Sequence, residues 1–402
     1  MIRNRPIAAL VTAEGVSSIG TRLTWLALPW FVLVTTGSPT RMGFVFVAEL
    51  VPMALLGVPS GAFVQRIGAR QTMLVCDLAR APLVAAVPLL HHAGLLTYPL
   101  ILALTAGMGV FTAPYFASQR LVLPEIVGED EHVMAQANSL IEGTTRFTML
   151  AGNALAGVFI AWLGAANVLW LDAGTFLFAF AVVALLVPRG RRVEADEESR
   201  GIFAGLRYIA RDRLLRVASV AVLLFGLLLP FIFASLPVLA FVRYDEDPKI
   251  AGWLLASWGA GALAGAVIAY RTVARFEPLR LAGGACVAMV LPLWLLVFDL
   301  PAWGVGAVLF ASALFIPLIN APFIAVLTRR TPTSLRPKVM TAVISAESVT
   351  GPVGYALAGP ALSGLGLGAV YLLTATGMTA VALMFLAATA RAEPAELRAE
   401  AA

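Results

Sequence analysis

The sequence predicts an all-α membrane protein of twelve transmembrane helices in two pseudo-symmetric six-helix bundles. Three observations predict it. The 402-residue chain is 60% apolar and only 13% charged, whereas a soluble domain carries about 25% charged residues. Its apolar residues gather in runs that match the ~20 residues a helix needs to cross a hydrocarbon core. The second half also repeats, in order, short motifs of the first. With a mean hydropathy of +0.89, a water-soluble globule would expose far too much apolar surface.

The predicted spans of the first half are 7–34, 42–64, 72–90, 98–117, 138–163 and 166–187. Those of the second half are 214–242, 250–270, 279–298, 301–328, 339–362 and 367–389. The opening MIRNRP leads straight into the first span without an A-x-A-like cleavage site. It reads as a retained helix rather than a signal peptide. Cys76 and Cys286 each lie inside an apolar run. A lone Cys there behaves as a small hydrophobe, and no disulfide is expected.

Basic residues set the orientation. Of the 28 Lys and Arg residues, Arg41, Arg243 and Lys249 fall in loops on one side. Arg22, Arg80 and Arg146 fall within spans, and the rest lie on the other side. Lys and Arg are retained in the cytoplasm, which places both termini there, in a multi-pass protein of the bacterial-type inner membrane. The net charge of +5 does not indicate nucleic acid. The arginines are spread over short loops rather than arranged as one stripe.

Residues 1–187 therefore form the first bundle and 214–402 the second, ending in a short cytoplasmic tail. The linker 188–213 opens basic at Arg189, Arg191 and Arg192, then turns acidic at Glu194, Asp196, Glu197 and Glu198. Ile202, Phe203, Leu206, Ile209 and Ala210 follow at helical spacing with arginines between them. That pattern predicts an interfacial helix on the inner leaflet, with a solvated linker as the alternative.

The halves resemble each other. Span 2 holds Gly57-x-x-x-Gly61 followed by Arg66, and span 8 holds Gly261-x-x-x-Gly265 followed by Arg271. Span 5 follows Val133-Met134, carries Glu142 and reads ALAG at 154–157. Span 11 follows Val339-Met340, carries Glu347 and reads ALAG at 356–359. Two similar bundles flanking a midplane site are a common build of secondary transporters.

The loop after span 2, GAFVQRIGAR, resembles the signature of the major facilitator superfamily: glycine, three residues, Asp-Arg, one residue, Gly, one residue, Arg. Gly61, Arg66, Gly68 and Arg70 fit, and Gln65 stands where Asp is usual. In the family that Asp helps latch the cytoplasmic gate by charge. A weaker or differently built latch is expected with uncharged Gln65. Four further stretches resemble the drug:proton antiporter branch that includes macrolide-efflux and enterobactin-exporter-like transporters. They are LALPWFVLVTTGSPT (26–40), CDLAR (76–80), LVLPEIVGEDEHVMAQANSL (121–140) and LWLDAGTF (169–176). Antiporters often carry Gly-Pro in span 5, where this chain has Gly152-Asn153; a Gly-Pro stands in span 11 at Gly351-Pro352. The resemblance implies the major facilitator fold and proton-coupled efflux of bulky amphipathic compounds, drug- or siderophore-like, by alternating access.

Charges inside a bilayer cost ~2.5–3.5 kcal/mol each by insertion scales and normally face a cavity or a partner. Here they are Glu14, Arg22, Glu49, Asp77, Arg80, Glu142, Arg146, Asp172 and Glu347, all but the last in the first half. Arg22 and Glu49 each lie about 16 residues, or ~24 Å, from the inner edge, so they are expected to meet across the first hairpin. A buried carboxyl favours its neutral form and a nearby Arg the charged one. Glu49 with a moving Arg22 is thus a proton-coupling candidate, and a permanent ion pair is the alternative. Glu142 and Arg146 stand in the favourable i,i+4 order. Arg146 is expected to serve Glu142 and Glu14 in turn, unless the pair is only structural. Asp77 and Arg80 are expected to join Arg66 and Arg70 in a gate-stabilising network, and Asp172 to be structural.

Glu347 and Asn320 are candidates for the substrate cavity. Asn320 lies between Pro317 and Pro322, and prolines free backbone carbonyls in a membrane helix. Trp25, Phe111, Tyr115, Phe231 and Trp258 are aromatic candidates, with ordinary packing as their alternative. No phosphate-binding loop, serine nucleophile motif or Cys/acid cluster beside His91-His92 occurs. No ATP-driven pumping, enzyme activity, cofactor or metal is expected. The expected partners are a small-molecule substrate, protons and the lipid bilayer, with the chain acting as a monomer. Uptake or facilitated diffusion of a small solute, and a non-transporting sensor or assembly protein, remain alternatives.

Overall fold

The computed structural model describes residues 5–127, 131–188, 202–273, 275–332 and 335–400. Arg3 and the charged run Arg189–Arg200 lie outside the described residues, as do the side chains of Glu142, Ile202 and Phe203. Among the described residues the chain is helical and contains no strand: α1 (Arg5–Thr36), α2 (Pro39–Ile67), α3 (Ala69–His92), α4 (Tyr98–Val127), α5 (Glu131–Leu163), α6 (Ala165–Leu186), α7 (Ile202–Arg211), α8 (Arg213–Arg243), α9 (Pro248–Thr272), α10 (Pro278–Val290), α11 (Ala302–Ala313), α12 (Ile316–Arg330) and α13 (Arg336–Glu400). A lipid slab offers backbone groups no water, so helices that satisfy their own hydrogen bonds are the natural spanning elements.

Among the described residues, eleven helical stretches are long and apolar enough to cross a membrane; the last runs Lys338–Ala390, 53 residues. At 1.5 Å per residue that is ~80 Å, more than twice a hydrocarbon core. It breaks at Gly366, whose φ of 79° and ψ of 170° leave the helical region, so it supplies two spans and the total is twelve. Gly68 turns α2 into α3 with φ 92°. A glycine adopts that angle without the Cβ clash of other residues, which gives this signature position a physical reason. Ser38 caps α2 by accepting a hydrogen bond from the Arg41 backbone N–H at 3.3 Å.

Two predicted spans are interrupted. The ninth leaves α-geometry after Val290 and continues as a 3-10 turn over Leu291–Val297. Pro292 lacks the N–H that an α-helix would use there. The tenth is divided between α11 and α12, with Pro317 in the first turn of α12. Large apolar side chains remain exposed along the spans, including Leu185 at 81% and Leu55 at 72%, as a lipid-facing surface requires. Trp162 near the end of α5 and Trp303 at the start of α11 are also exposed, where interfacial aromatics sit.

The chain divides into two compact units. The first comprises residues 1–195 and 237–256, and the second residues 196–236 and 257–402. In the first unit α1 packs on α5 and α6, α2 on α4, and α3 on α4 and α6. Close approach relies on glycine. A Cβ on Gly109 of α4 would strike the carbonyl of Glu49 on α2, and one on Gly20 of α1 would strike Asp172 and Thr175 on α6. Two apolar layers fill this unit. One gathers Ile7, Leu10, Ala13, Met73, Cys76 and Val183. The other gathers Leu23, Leu26, Val84, Val87, Val168 and Leu169. Along α1 and α3 the residues between the layers are 14–22 and 77–80, the stretches that carry the charges.

The tip of the α8–α9 hairpin, residues 237–256, belongs to the first unit, where Ala240 and Ala251 enter the second of these layers. Trp30 meets Phe241 edge to face at 6.4 Å. A Cβ on Gly157 of α5 would lie 2.6 Å from the Pro248 carbonyl. One on Gly252 of α9 would lie 2.6 Å from the Asn153 carbonyl. The glycine ending the ALAG motif of span 5 is therefore a backbone contact point.

In the second unit α10 packs on α12 and α13, and α7 on α13. The glycine pair of α9 is used: a Cβ on Gly261 or Gly265 would collide with the carbonyls of Phe310 or Leu314. The matching pair in α2 differs, since a Cβ on Gly57 or Gly61 meets no described atom within 4 Å. The glycine spacing thus repeats in sequence but not in packing. In α7, Ile209 packs with Leu215, Leu327 and Val339, while Leu206 is 42% exposed. The Tyr208 hydroxyl donates to the Arg330 carbonyl, and Arg330 pairs with Asp212 at 3.3 Å.

Candidate functional site

Between the two apolar layers of the first unit lies a cluster of buried charged and hydroxyl groups. Its centre is Arg80 of α3, 3% exposed. The guanidinium carbon stands 4.0 Å from the Tyr115 ring centroid and 4.3 Å from that of Phe176. Two aromatic faces thus shield the cation from apolar surroundings and attract it electrostatically. Its Nη2 donates to Asp77 Oδ1 at 2.6 Å, one helical turn earlier. Asp77 Oδ2 and Arg80 Nε are buried without a hydrogen-bond partner. A buried polar atom left in that state is uncommon and marks capacity for another bond.

Three more acids surround this pair. Glu14 of α1 is 5% exposed. It accepts from Ser18 at 3.1 Å and from the Tyr115 hydroxyl at 3.2 Å, and Gln119 also bonds it. Asp172 of α6, 1% exposed, accepts from Thr24 and from Thr175. Glu49 of α2 is half-buried and hydrogen-bonded by the Trp25 side chain. Arg80 interacts electrostatically with Asp77, its hydrogen-bond partner, and also with Asp172, Glu49 and Glu14. Tyr115 joins the parts, with its ring against Arg80 and its hydroxyl on Glu14.

The remaining predicted residues fall as follows. Arg22 lies on α1 with its stem against Gly152 of α5, and it interacts electrostatically with Glu49. The two do not form a direct ion pair among the described residues. Arg146 is exposed on α5, and the Glu142 side chain to which sequence spacing pairs it lies outside the described residues. Trp25 meets Phe46 edge to face at 5.4 Å. Phe111 is partly buried and packs against the apolar layer that includes Tyr115 and Leu123. In the second unit, Phe231 is 6% and Trp258 3% exposed, and Trp258 contacts Phe233 at 5.2 Å between centroids. Asn320 on α12 and Glu347 on α13 are exposed.

Around the signature loop, Gln65 and Arg66 are exposed. Arg70 donates to the carbonyls of Val187 and Ala184, both at 2.7 Å, and so caps the end of α6. Asp77 and Arg80 lie deeper. Their partners are Tyr115, Phe176 and the surrounding acids rather than Arg66 or Arg70. Because α3 begins at Ala69, Arg80 stands ~17 Å along the helix. Sequence reasoning missed Thr24, Ser18, Gln119 and Phe176 as members of the cluster. The Asp-x-x-Arg spacing and that depth were the available signals for its centre.

Comparison with known proteins follows the same direction. The family model described as Major Facilitator Superfamily matches residues 10–355. The chain is 29% identical over 381 residues to the multidrug efflux pump Tap of Mycolicibacterium fortuitum, covering 91% of both chains. It is 26% identical over 399 residues to the pump of the same name from Mycobacterium tuberculosis strain ATCC 25618 / H37Rv, covering 94% of this chain and 93% of the relative. Among solved structures, the nucleoside transporter NupG superposes with a TM-score of 0.76 at 11% identity, over 94% of this chain and 98% of that one. At that identity the likeness concerns the fold alone.

Proposed function

This chain belongs to the major facilitator superfamily, and on that premise we propose that it exports bulky amphipathic organic compounds in exchange for protons. It is a multi-pass membrane transporter and not an enzyme. The name carried by the Tap relatives supports efflux. The single observation that supports proton coupling is the cluster of four carboxyl groups around buried Arg80.

Carboxyl groups held away from water carry a cost that a purely structural bundle would avoid. Glu14, Glu49 and Asp77 take up and release protons as their contact with Arg22, Arg80 and solvent alternates. Glu142 and Arg146 form a second coupling pair on α5. Glu347, Asn320, Trp25, Phe111, Tyr115, Phe231 and Trp258 take part in the substrate path. Gly61, Gln65, Arg66, Gly68 and Arg70 control the cytoplasmic gate. The excess of arginines on one side supports a bacterial inner-membrane protein with both termini cytoplasmic, acting as a monomer. Alternating access requires the seam at Gly157 and Gly252 to open and reclose.

Everted vesicles test this with ethidium, a bulky amphipathic dye. Wild-type protein is expected to accumulate the dye when the lumen is acid, and to stop when the pH gradient is collapsed. Glu14→Gln and Glu49→Gln are each expected to remove the pH-driven component while the protein still reaches the membrane. Retention of that component in both variants would refute the assignment. Counterflow unaffected by pH in the wild type would favour facilitated diffusion.

A further inference from the structure

The second unit contains a groove unrelated to the charged cluster. It has a volume of about 510 Å³, within the ~300–1,000 Å³ range of small-molecule sites. Its mouth is formed by Arg275, Phe276 and Glu277, the connection between α9 and α10, and by Arg280 in the first turn of α10. Its walls are Leu281, Gly284, Ala285, Ala288, Phe315 and Leu318. Ala285 and Leu318 are themselves packed with Ala269 of α9, so the floor is a fixed surface. From Arg280 to Ala288 the groove climbs ~12 Å along α10, into the apolar stretch Pro278–Val297 that crosses the membrane. One end is therefore basic and at the water boundary, and the other is apolar and at acyl-chain depth.

Two adjacent glycines differ in their surroundings. A Cβ on Gly283 would lie 2.6 Å from Thr389 Oγ1 and 3.0 Å from Leu386, so close helix packing explains a glycine there. A Cβ on Gly284 meets nothing within 4 Å. Glycine in a helix costs up to ~1 kcal/mol relative to alanine, and helix packing gives Gly284 no return for that cost. What the missing side chain does provide is room in the groove.

We infer that this groove binds an anionic phospholipid of the leaflet on the arginine-rich side. The phosphate is held between Arg275 and Arg280, and an acyl chain lies along Gly284, Ala285 and Ala288. Among the described lining residues two guanidinium groups stand with one carboxylate, Glu277, a balance that favours an anionic over a zwitterionic headgroup. Basic pockets between transmembrane helices recognise lipid headgroups through this chemistry. The inference does not depend on proton coupling or on the transported compound.

Native mass spectrometry of the full chain, offered phosphatidylglycerol or phosphatidylcholine with identical acyl chains, tests it. Wild-type protein is expected to retain phosphatidylglycerol preferentially. Retention is expected to fall about fivefold for each arginine removed in Arg275→Gln and Arg280→Gln. Gly284→Leu leaves both arginines in place and adds its side chain to open space. It is expected to lose phosphatidylglycerol retention with an unchanged melting temperature. Equal retention of the two lipids by the wild type overturns the inference, as does undiminished phosphatidylglycerol retention in the arginine variants or in Gly284→Leu.

Discussion

Arg80→Met is expected to destabilise the protein by about 3–5 kcal/mol, the cost of removing one partner from a buried ion pair. The substitution keeps an unbranched apolar side chain between Tyr115 and Phe176 but leaves Asp77 buried without its cation. It also removes the field that reaches Glu14, Asp172 and Glu49. Thermal unfolding in detergent should show a sharply lowered midpoint and a poor yield of folded protein. Asp77→Asn with Arg80→Met removes both charges of the pair and is expected to recover most of the lost stability. The two changes should therefore be strongly non-additive. Proton-coupled transport should stay lost in the double variant, because the central cation is gone. Arg80→Lys retains the charge without the planar fork that stacks on the rings, and an intermediate midpoint is expected. Simple addition of the two single effects would show that Asp77 and Arg80 do not act as a pair.

Gly252→Leu is expected to abolish transport by holding α9 away from α5. The added atoms would meet the Asn153 carbonyl at 2.6 Å and the Gly157 amide nitrogen at 2.7 Å. Both are backbone atoms, so no side chain can swing aside, and overpacking of this kind costs about 1–3 kcal/mol. Opening the seam relieves it. Ala251→Cys next to it serves as a reporter, since Ala251 is fully buried. The native Cys76 and Cys286 are buried as well, which keeps the background low. A membrane-impermeant thiol reagent should modify Cys at 251 much faster in the Gly252→Leu background. Gly174→Ala, where a Cβ meets nothing within 4 Å, should leave labelling and transport unchanged. Equal labelling with and without Gly252→Leu would contradict the proposed role of the seam.

How legible the site was depended on what each residue's position encodes. The spans were readable because hydrocarbon thickness dictates their length. Equal depth on consecutive antiparallel helices relates Arg22 to Glu49, and the two interact electrostatically without a direct ion pair among the described residues. The centre of the cluster was harder. Helices such as α1 and α6 are apolar nearly all round, and an even distribution does not mark which face turns inward. The spacing of Asp77 and Arg80 does not separate a gate network with Arg66 and Arg70 from an inward position, and it is the packing of α3 on α4 and α6 that buries both side chains. Tyr115 was read as a possible pocket aromatic. Its link from Arg80 to Glu14 depends on three helices meeting, which no spacing within one helix reports. The glycine repeat shows the opposite limit: Gly57/Gly61 and Gly261/Gly265 match in sequence, yet only the second pair is pressed against a neighbouring backbone.

The central claim is that the buried acids of the first unit exchange protons for substrate. The most direct measurement uses sealed proteoliposomes with an ethidium gradient, no initial pH gradient and a pH-reporting dye inside. Dye movement through the wild-type protein should drive protons in the opposite direction and change the luminal pH. A Glu14→Gln/Glu49→Gln protein should produce no such change. Ethidium flux through the wild type with a constant luminal pH would contradict the account.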